Sequence, residues 1–414
     1  MTRRKVINNL LSSATVTVVS AVAVIVIQVL VSRTYGSTVF GVYTLVLAIG
    51  RIMLAASDLG VSTFVYREVA RFPERTCEWV DTGMFVRVRS AAACIVLSMA
   101  VFWFLGPHGQ MSAALMLFLD LIFGDLAVFF SYVFVARRDT HLQALVSVPT
   151  MILRTSLCAL VITLDCDLWI LASALVGCHA MQLVWGLVIS RRRGWASVPR
   201  PVHVRRLLVA AWPIGVSNTV GALYFKLDSL LLAAILSPQH VGLYNAAYLL
   251  ATGTTLASVV IRSVAFPELS SAFRSPAFRR IARRFAMAVA ATSVFAVLVI
   301  WLLGPWVIDQ FFGPEFAASK DLVPVFAIAS AAVFANEAAQ ATLLATHQQT
   351  LDLRCGVFAL SLNVILNLLL IPRIGIAGAA WATLATEATG AVTRLWFGRI
   401  VIREASRSIV SPGP

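Results

Sequence analysis

The chain has 414 residues, of which 59% are hydrophobic and only 13% are charged. Soluble domains carry about 25% charged residues, so a soluble enzyme or binding module is excluded and an integral membrane protein is expected. The formal charge of +14 would suit nucleic acid, but the basic residues sit between apolar runs instead of forming one patch, which points to membrane orientation.

A helical crossing needs about 20 apolar residues. The apolar runs predict an all-α polytopic protein with about twelve of them: residues 10–32, 39–58, 84–104, 111–135, 145–163, 168–190, 207–236, 241–266, 285–304, 321–345, 352–371 and 375–398. The first follows a basic start, Met1-Thr-Arg-Arg-Lys5, and resembles a signal sequence. Its apolar run is long and lacks a small-residue cleavage site, so it reads as an uncleaved crossing. Loops 33–38, 105–110, 164–167, 237–240, 305–320 and 372–374 hold only Arg33, Lys320 and Arg373 as basic residues. The opposite loops and tails hold Arg3, Arg4, Lys5, Arg67, Arg71, Arg75, Arg191 to Arg193, Arg279, Arg280, Arg283, Arg284, Arg403 and Arg407. Both termini are therefore expected in the cytoplasm. Trp103, Trp169, Trp301 and Trp306 fall at outer helix ends, as an aromatic belt would. The six cysteines are not at metal spacing and read as packing residues.

An internal repeat divides the chain. Phe40-Gly41-Val42-Tyr43 opens the second crossing and Val241-Gly242-Leu243-Tyr244 opens the eighth, 201 residues later. Six crossings per half place the halves in one orientation, as parallel repeats. The expected organisation is an N-terminal lobe (1–190), a basic linker (191–206), a C-terminal lobe (207–398) and a cytoplasmic tail (399–414). Residues 267–284 are expected to begin with a turn and end as a basic segment on the inner surface.

The seventh crossing, 207–236, is the most informative. Pro213 removes a backbone donor and frees the carbonyl of Val209, making it a candidate hinge. Lys226 and Asp228 do not belong in lipid, where a charge costs about 3 kcal/mol on insertion scales. Helix faces repeat at i, i+3/4 and i+7. Gly215, Asn218, Ala222, Lys226 and Ser229 share one face here. Thr44, Ala48, Arg51, Ala55 and Asp58 share one in the second crossing. Tyr244, Tyr248, Ala251, Thr255, Ser258 and Arg262 do so in the eighth, and Ala380, Thr383, Glu387 and Arg394 in the twelfth.

Such stripes suit a water-filled cavity or, equally, helix contacts between paired charges. Arg51 and Lys226 read as cavity lining. Arg262 and Arg394, near helix ends, suit snorkelling as well. Asp120, Asp125, Glu337 and Glu387 are candidates for proton or sodium coupling, or for pairing with Arg51, Arg154 or Arg394. Asp120 and Asp125 lie about 140° apart around their helix and need different partners. His179, alone on an apolar helix, reads as a core residue.

Three stretches carry a family signal. One holds Pro213, Tyr224-Phe225-Lys226-Leu227-Asp228, Val241-Gly242-Leu243-Tyr244-Asn245-Ala246-Ala247-Tyr248 and Phe266-Pro267-Glu268-Leu269. Another holds Asn363, Asn367, Leu370-Ile371-Pro372, Gly375, Gly378-Ala379-Ala380 and Ala382-Thr383; residues 40–71 form the third. Together they resemble the polysaccharide and O-antigen flippase family of the multidrug/oligosaccharidyl-lipid/polysaccharide exporter superfamily. The resemblance implies a two-lobed, V-shaped transporter that exports lipid-linked oligosaccharides across the cytoplasmic membrane by alternating access, driven by a proton or sodium gradient. An undecaprenyl-diphosphate carrier, membrane lipids, a polysaccharide polymerase and chain-length machinery are the implied partners. Neither a cofactor nor a metal is expected, nor is enzymatic activity. On this reading Arg51, Lys226, Asn218, Tyr248 and Arg262 contact substrate.

Twelve crossings instead of fourteen make the peptidoglycan-precursor flippases a poorer match. Multidrug exporters of the superfamily often carry a carboxylate in the first crossing, and here Gln28 is its most polar deep residue. A polysaccharide polymerase or ligase needs a large outer loop with catalytic groups. The longest outer loop, 305–320, has only Asp309, Glu315 and Lys320 as charged residues.

Overall fold

The computed structural model describes residues 3–273, 275 and 277–410, with side chains undescribed at 3–8, 10–11, 255–256, 258–260, 262–265 and 401–410. The described residues form helices and turns and no strand. In a bilayer core a helix satisfies its own backbone donors and acceptors where an open sheet edge cannot. The helices are α1 (Arg3–Asp58), α2 (Val61–Arg71), α3 (Thr76–Leu105), α4 (Met111–Ala136), α5 (Thr140–Thr163), α6 (Leu168–Arg192), α7 (Val204–Ile235), α8 (Pro238–Ala272), α9 (Phe278–Val307), α10 (Val323–Ala345), α11 (Gln349–Ile374) and α12 (Ile376–Val410).

Nine stretches among the described residues are long and apolar enough to cross a membrane, so the protein is multi-pass. One of them, Ser12–Asp58, has 47 residues, about 70 Å at 1.5 Å per residue, roughly twice a bilayer core. Gly36 breaks it, with φ 76° and ψ −179°, a backbone that a side chain disfavours. The break falls in the expected first loop, so this stretch holds the first two expected crossings. α8 and α12, 35 residues each, carry the expected eighth and twelfth. Some boundaries differ from expectation: α3 opens at Thr76 and α9 at Phe278, before the expected crossings, and residues 267–272 continue α8 and are not a turn. Pro267 blocks only its own donor, and near a helix end water can take the freed carbonyl.

The chain packs as two compact units, Met1–Ala234 and Ile235–Pro414. α7 packs with the first, and a close approach explains why. Leu59 and Gly60, at the α1–α2 corner, both have left-handed backbones, with φ 51° and 77°. A Cβ placed on Gly215 of α7 would sit 2.5 Å from the Leu59 carbonyl carbon and 2.9 Å from the Gly60 nitrogen. Two glycines thus let backbone meet backbone two residues beyond Pro213, through which α7 runs as one continuous helix.

Loop contacts sort the ends of the first unit into two sets. Tyr35 OH donates to the Cys166 carbonyl at 2.6 Å, joining the loops near 36 and 166. At the other end, Asn9 Nδ2 donates to the Arg138 carbonyl at 3.0 Å, and Arg137 Nη1 to the Pro73 carbonyl at 2.8 Å. The basic linker is docked there and is no loose tether. Ser197 donates its backbone N (2.8 Å) and its hydroxyl to Asp81. Buried Trp195 lies against Phe134 with the Arg137 guanidinium 5.3 Å over its ring. In the second unit, Ser319 Oγ donates to the Leu243 carbonyl at 2.8 Å, joining the start of α8 to the stretch before α10. Phe273 and His347 rings meet at 6.1 Å, joining the opposite turns. This alternation of ends is the one the crossings require.

Candidate functional site

The charges buried among the helices of the first unit include two clusters. The larger centres on Arg87 of α3, 3% exposed. Its Nη1 donates to the Asp58 carboxylate and to Ser62 Oγ, and its Nη2 to the Asp125 carboxylate of α4. Asp58 also accepts from Ser62 N at 3.2 Å and Ser62 Oγ at 2.6 Å, tying the first turn of α2 to the end of α1. The second cluster centres on Asp120, 1% exposed. Arg154 Nη2 of α5 donates to it. His179 Nδ1 of α6 lies 2.7 Å from its Oδ1 and bonds its backbone carbonyl at 3.0 Å. The 140° separation of the two aspartates is thus met by different partners, and Arg51 is neither one. Buried charges need such pairing, because an uncompensated one is costly.

Arg51 stands apart. It is exposed, although it lies within α1 about 10 Å from the helix end at Asp58 by helical rise. Among the described residues it has no hydrogen bond or ion pair, while buried Arg87, Arg154 and Arg394 each hold a carboxylate. Its charge acts on Asp125 and on half-buried Lys226 of α7, which also feels Asp228. Asn218, two turns before Lys226, is exposed, as is Pro213. An arginine with no carboxylate and an exposed side chain on a spanning helix belongs beside water and not lipid. Two neighbouring cations there can hold an anion with dispersed charge.

The second unit carries a longer network. Asn336 Nδ2 donates to Glu387 Oε2 at 2.8 Å, and Arg394 Nη1 donates to Asn336 Oδ1 at 2.8 Å. Arg394 Nε donates to Asp352 Oδ1 at 2.7 Å, and Gln340 Nε2 reaches the same carboxylate at 3.2 Å. Glu387 and Arg394 are 5% and 6% exposed, so the twelfth-crossing stripe packs against α10 and α11, and Arg394 does not snorkel. Glu337 is half-buried on α10. Tyr248 stacks on Tyr244 at 5.7 Å and meets Phe326 edge-on at 5.7 Å, while Tyr244 OH and Thr383 Oγ1 are hydrogen-bonded at 3.1 Å. The side chain of Arg262 lies outside the described residues.

The model of the polysaccharide biosynthesis protein family matches residues 6–273, well over half of the chain. The chain belongs to that family. Two Haloferax volcanii proteins are similar to it. One, named "Probable flippase AglR", is 30% identical over 41% of this chain and 37% of its own length. The other, named "Probable low-salt glycan biosynthesis flippase Agl15", is 25% identical over 56% of this chain and 50% of its own length. The matched parts thus span half or less of these relatives. Solved structures share the fold at low identity. An inward-facing multidrug resistance MATE family transporter aligns with TM-score 0.78 and 13% identity over 94% of this chain and 96% of its own. The lipid II flippase MurJ aligns with TM-score 0.74 and 13% identity over 98% and 91%.

As a polysaccharide biosynthesis protein, the chain carries Arg51, Asp120, Asp125, Asn218, Lys226, Tyr248 and Arg262 inside the matched segment, and Glu337 and Glu387 beyond it. Sequence reasoning missed Arg87, the most connected of the buried cations. It falls four residues into the expected third crossing, where an arginine reads as snorkelling to water. It also missed the role of His179: a lone imidazole on an apolar helix shows no partner until α4 and α6 are packed. Asp352 and Asn336 were equally silent, because 58 residues separate Asn336 from the Arg394 that bonds it.

Proposed function

We propose that the protein is a flippase that exports lipid-diphosphate-linked oligosaccharide or polysaccharide repeat units across the cytoplasmic membrane by alternating access. Both termini are cytoplasmic on this reading, and a proton or sodium gradient drives transport. The observation that carries it is Arg51: a spanning-helix guanidinium that holds no carboxylate among the described residues, exposed, with Lys226 in electrostatic reach. A guanidinium grips a diphosphate through two parallel hydrogen bonds, while an ammonium adds a point charge. Asn218 supplies hydrogen bonds on the Lys226 face, and Tyr248 offers an aromatic surface for sugar. Arg262 and the coupling carboxylates Asp120, Asp125, Glu337 and Glu387 belong to the same proposal, as do an undecaprenyl-type carrier and downstream polymerase and chain-length partners. A drug exporter moving organic cations is disfavoured by the same two cations, and no catalytic step is assigned.

The test is complementation in a strain lacking the flippase, with protein level measured beside surface polysaccharide. Arg51→Gln and Lys226→Gln should be present at normal level and export poorly, with Arg51→Lys intermediate, because an ammonium loses the bidentate grip. Full export by Arg51→Gln overturns the reading.

A further inference from the structure

The basic linker runs into α7 along a groove of about 740 Å³, whose walls carry His203, Arg205 and Arg206 beside Val202, Val204 and Val209. Two of these cationic side chains pack on buried Trp79 of α3. The His203 ring lies 5.4 Å from the indole and the Arg206 guanidinium 5.7 Å, with the Arg75 guanidinium at 5.9 Å. Glu78 is the carboxylate of this group. It pairs with Arg75 at 2.9 Å and lies 3.7 Å from His203 Nε2. Arg205 and Arg206 are exposed and hold no carboxylate among the described residues. The Trp79 indole N–H has no acceptor there either, so this positive end carries a further unsatisfied donor.

The groove continues along α7. Arg205 is followed on the same face by Val209, Trp212 and Val216, at i+4, i+7 and i+11. These three are 66%, 59% and 52% exposed. From Arg205 to Val216 the helix rises about 16 Å, the depth of one leaflet of a hydrocarbon core about 30 Å thick. Asn218 and Lys226 lie about 150° and 70° round the helix from this stripe, so it is not the face proposed to meet substrate.

Uncompensated guanidiniums at the head of a leaflet-deep apolar stripe match a molecule with an anionic head and acyl chains. A free phosphate or an acidic peptide would use the groove and leave the stripe bare.

We propose that the groove binds the phosphate of an anionic phospholipid in the leaflet on the linker side, with the acyl chains along Val209, Trp212 and Val216. Such a lipid ties the start of α7 and the docked linker to one leaflet. The proposal does not depend on what Arg51 binds.

The test uses the full-length protein in bilayers that mix phosphatidylcholine with phosphatidylglycerol, one or the other carrying brominated chains that quench tryptophan on contact. Subtracting the quenching seen in Trp212→Phe isolates the Trp212 signal. Phosphatidylglycerol should be preferred at Trp212 by roughly five- to thirtyfold, the effect of one or two arginines at an anionic surface. Arg205→Gln combined with Arg206→Gln should bring the preference close to one. Arg205→Lys combined with Arg206→Lys should keep most of it, since lysine retains the charge. Arg283→Gln combined with Arg284→Gln, exposed arginines at the start of α9, should leave it unchanged, which separates a built site from general attraction of anionic lipid. Raising the ionic strength reports the same charge in the wild type without any variant, and should reduce the preference. The proposal is overturned by a wild type without preference, by a preference insensitive to salt or to the glutamine pair at 205 and 206, or by one lost equally in the α9 pair. It is also overturned if inorganic phosphate or polyglutamate in solution abolishes the preference, because the groove is then a site for a free anion or a peptide.

Discussion

Among the described side chains of the first unit, Arg87 holds the most carboxylates. It is buried, and it satisfies two carboxylates and a hydroxyl from three other helices. Removing it leaves Asp58 and Asp125 facing each other without a counterion. Breaking a buried pair in this way costs about 3–5 kcal/mol, far more than the net worth of an exposed pair. Arg87→Met should therefore lower the yield of folded protein and its thermal midpoint in detergent. Adding Asp58→Asn and Asp125→Asn to Arg87→Met should restore much of the midpoint, since the excess charge is then gone. A triple variant as unstable as the single one would mean that the guanidinium matters for packing and not for charge. Arg51 should behave oppositely, with near-normal stability on neutralisation, because no carboxylate among the described residues is bonded to it.

At the scale of elements, the contact between α7 and the α1–α2 corner is the most exacting in the first unit. Gly215 meets backbone atoms of Leu59 and Gly60, which cannot swing aside as a side chain tip would. Gly215→Val should force α7 away from α1 and destabilise the unit by roughly 1–3 kcal/mol, the usual cost of overpacking. Gly221→Val, on the same helix with open space at its Cβ, is the control and should be near neutral. Comparable thermal midpoints for the two variants would sink this account of how α7 is held. The same corner carries Asp58, so the helix bearing Lys226 is packed against the element that anchors the Arg87 cluster. Two turns upstream of that corner, on the same helix, sits Arg51.

At the scale of the whole molecule, the basic residues fall on alternate loops and the contacts between loop ends follow the same alternation. Tyr35 meets Cys166 at one end, while Asn9 meets Arg138 and Arg137 meets Pro73 at the other. On the proposed orientation, which follows the positive-inside rule, the basic ends face the cytoplasm. Cysteine placed at Ser237 or Pro238 should be labelled by an impermeant maleimide from outside intact cells, and cysteine at Gly194 only after permeabilisation. The reverse pattern would invert the orientation, and labelling of both from outside would break the crossing count between them.

The helical class, the apolar runs that make the spanning helices and the alternation of charged loops were legible in the sequence, because they follow from local quantities. An apolar run either spans a bilayer or does not, and an arginine in a loop is basic whatever it touches. Family membership was legible for the same reason, being carried by contiguous stretches such as Tyr224 to Asp228 and Val241 to Tyr248. The partners of the buried charges were not. Asp120 and Asp125 could be told apart by helical angle, but only packing chose Arg154 for one and Arg87 for the other, at separations of 34 and 38 residues. Arg394 looked fit to snorkel until α11 placed Asp352 beside it. Ion pairing depends on which helix faces lie together, and in lipid that is decided by close small-residue contacts such as Gly60 with Gly215, whose geometry no single run of residues contains.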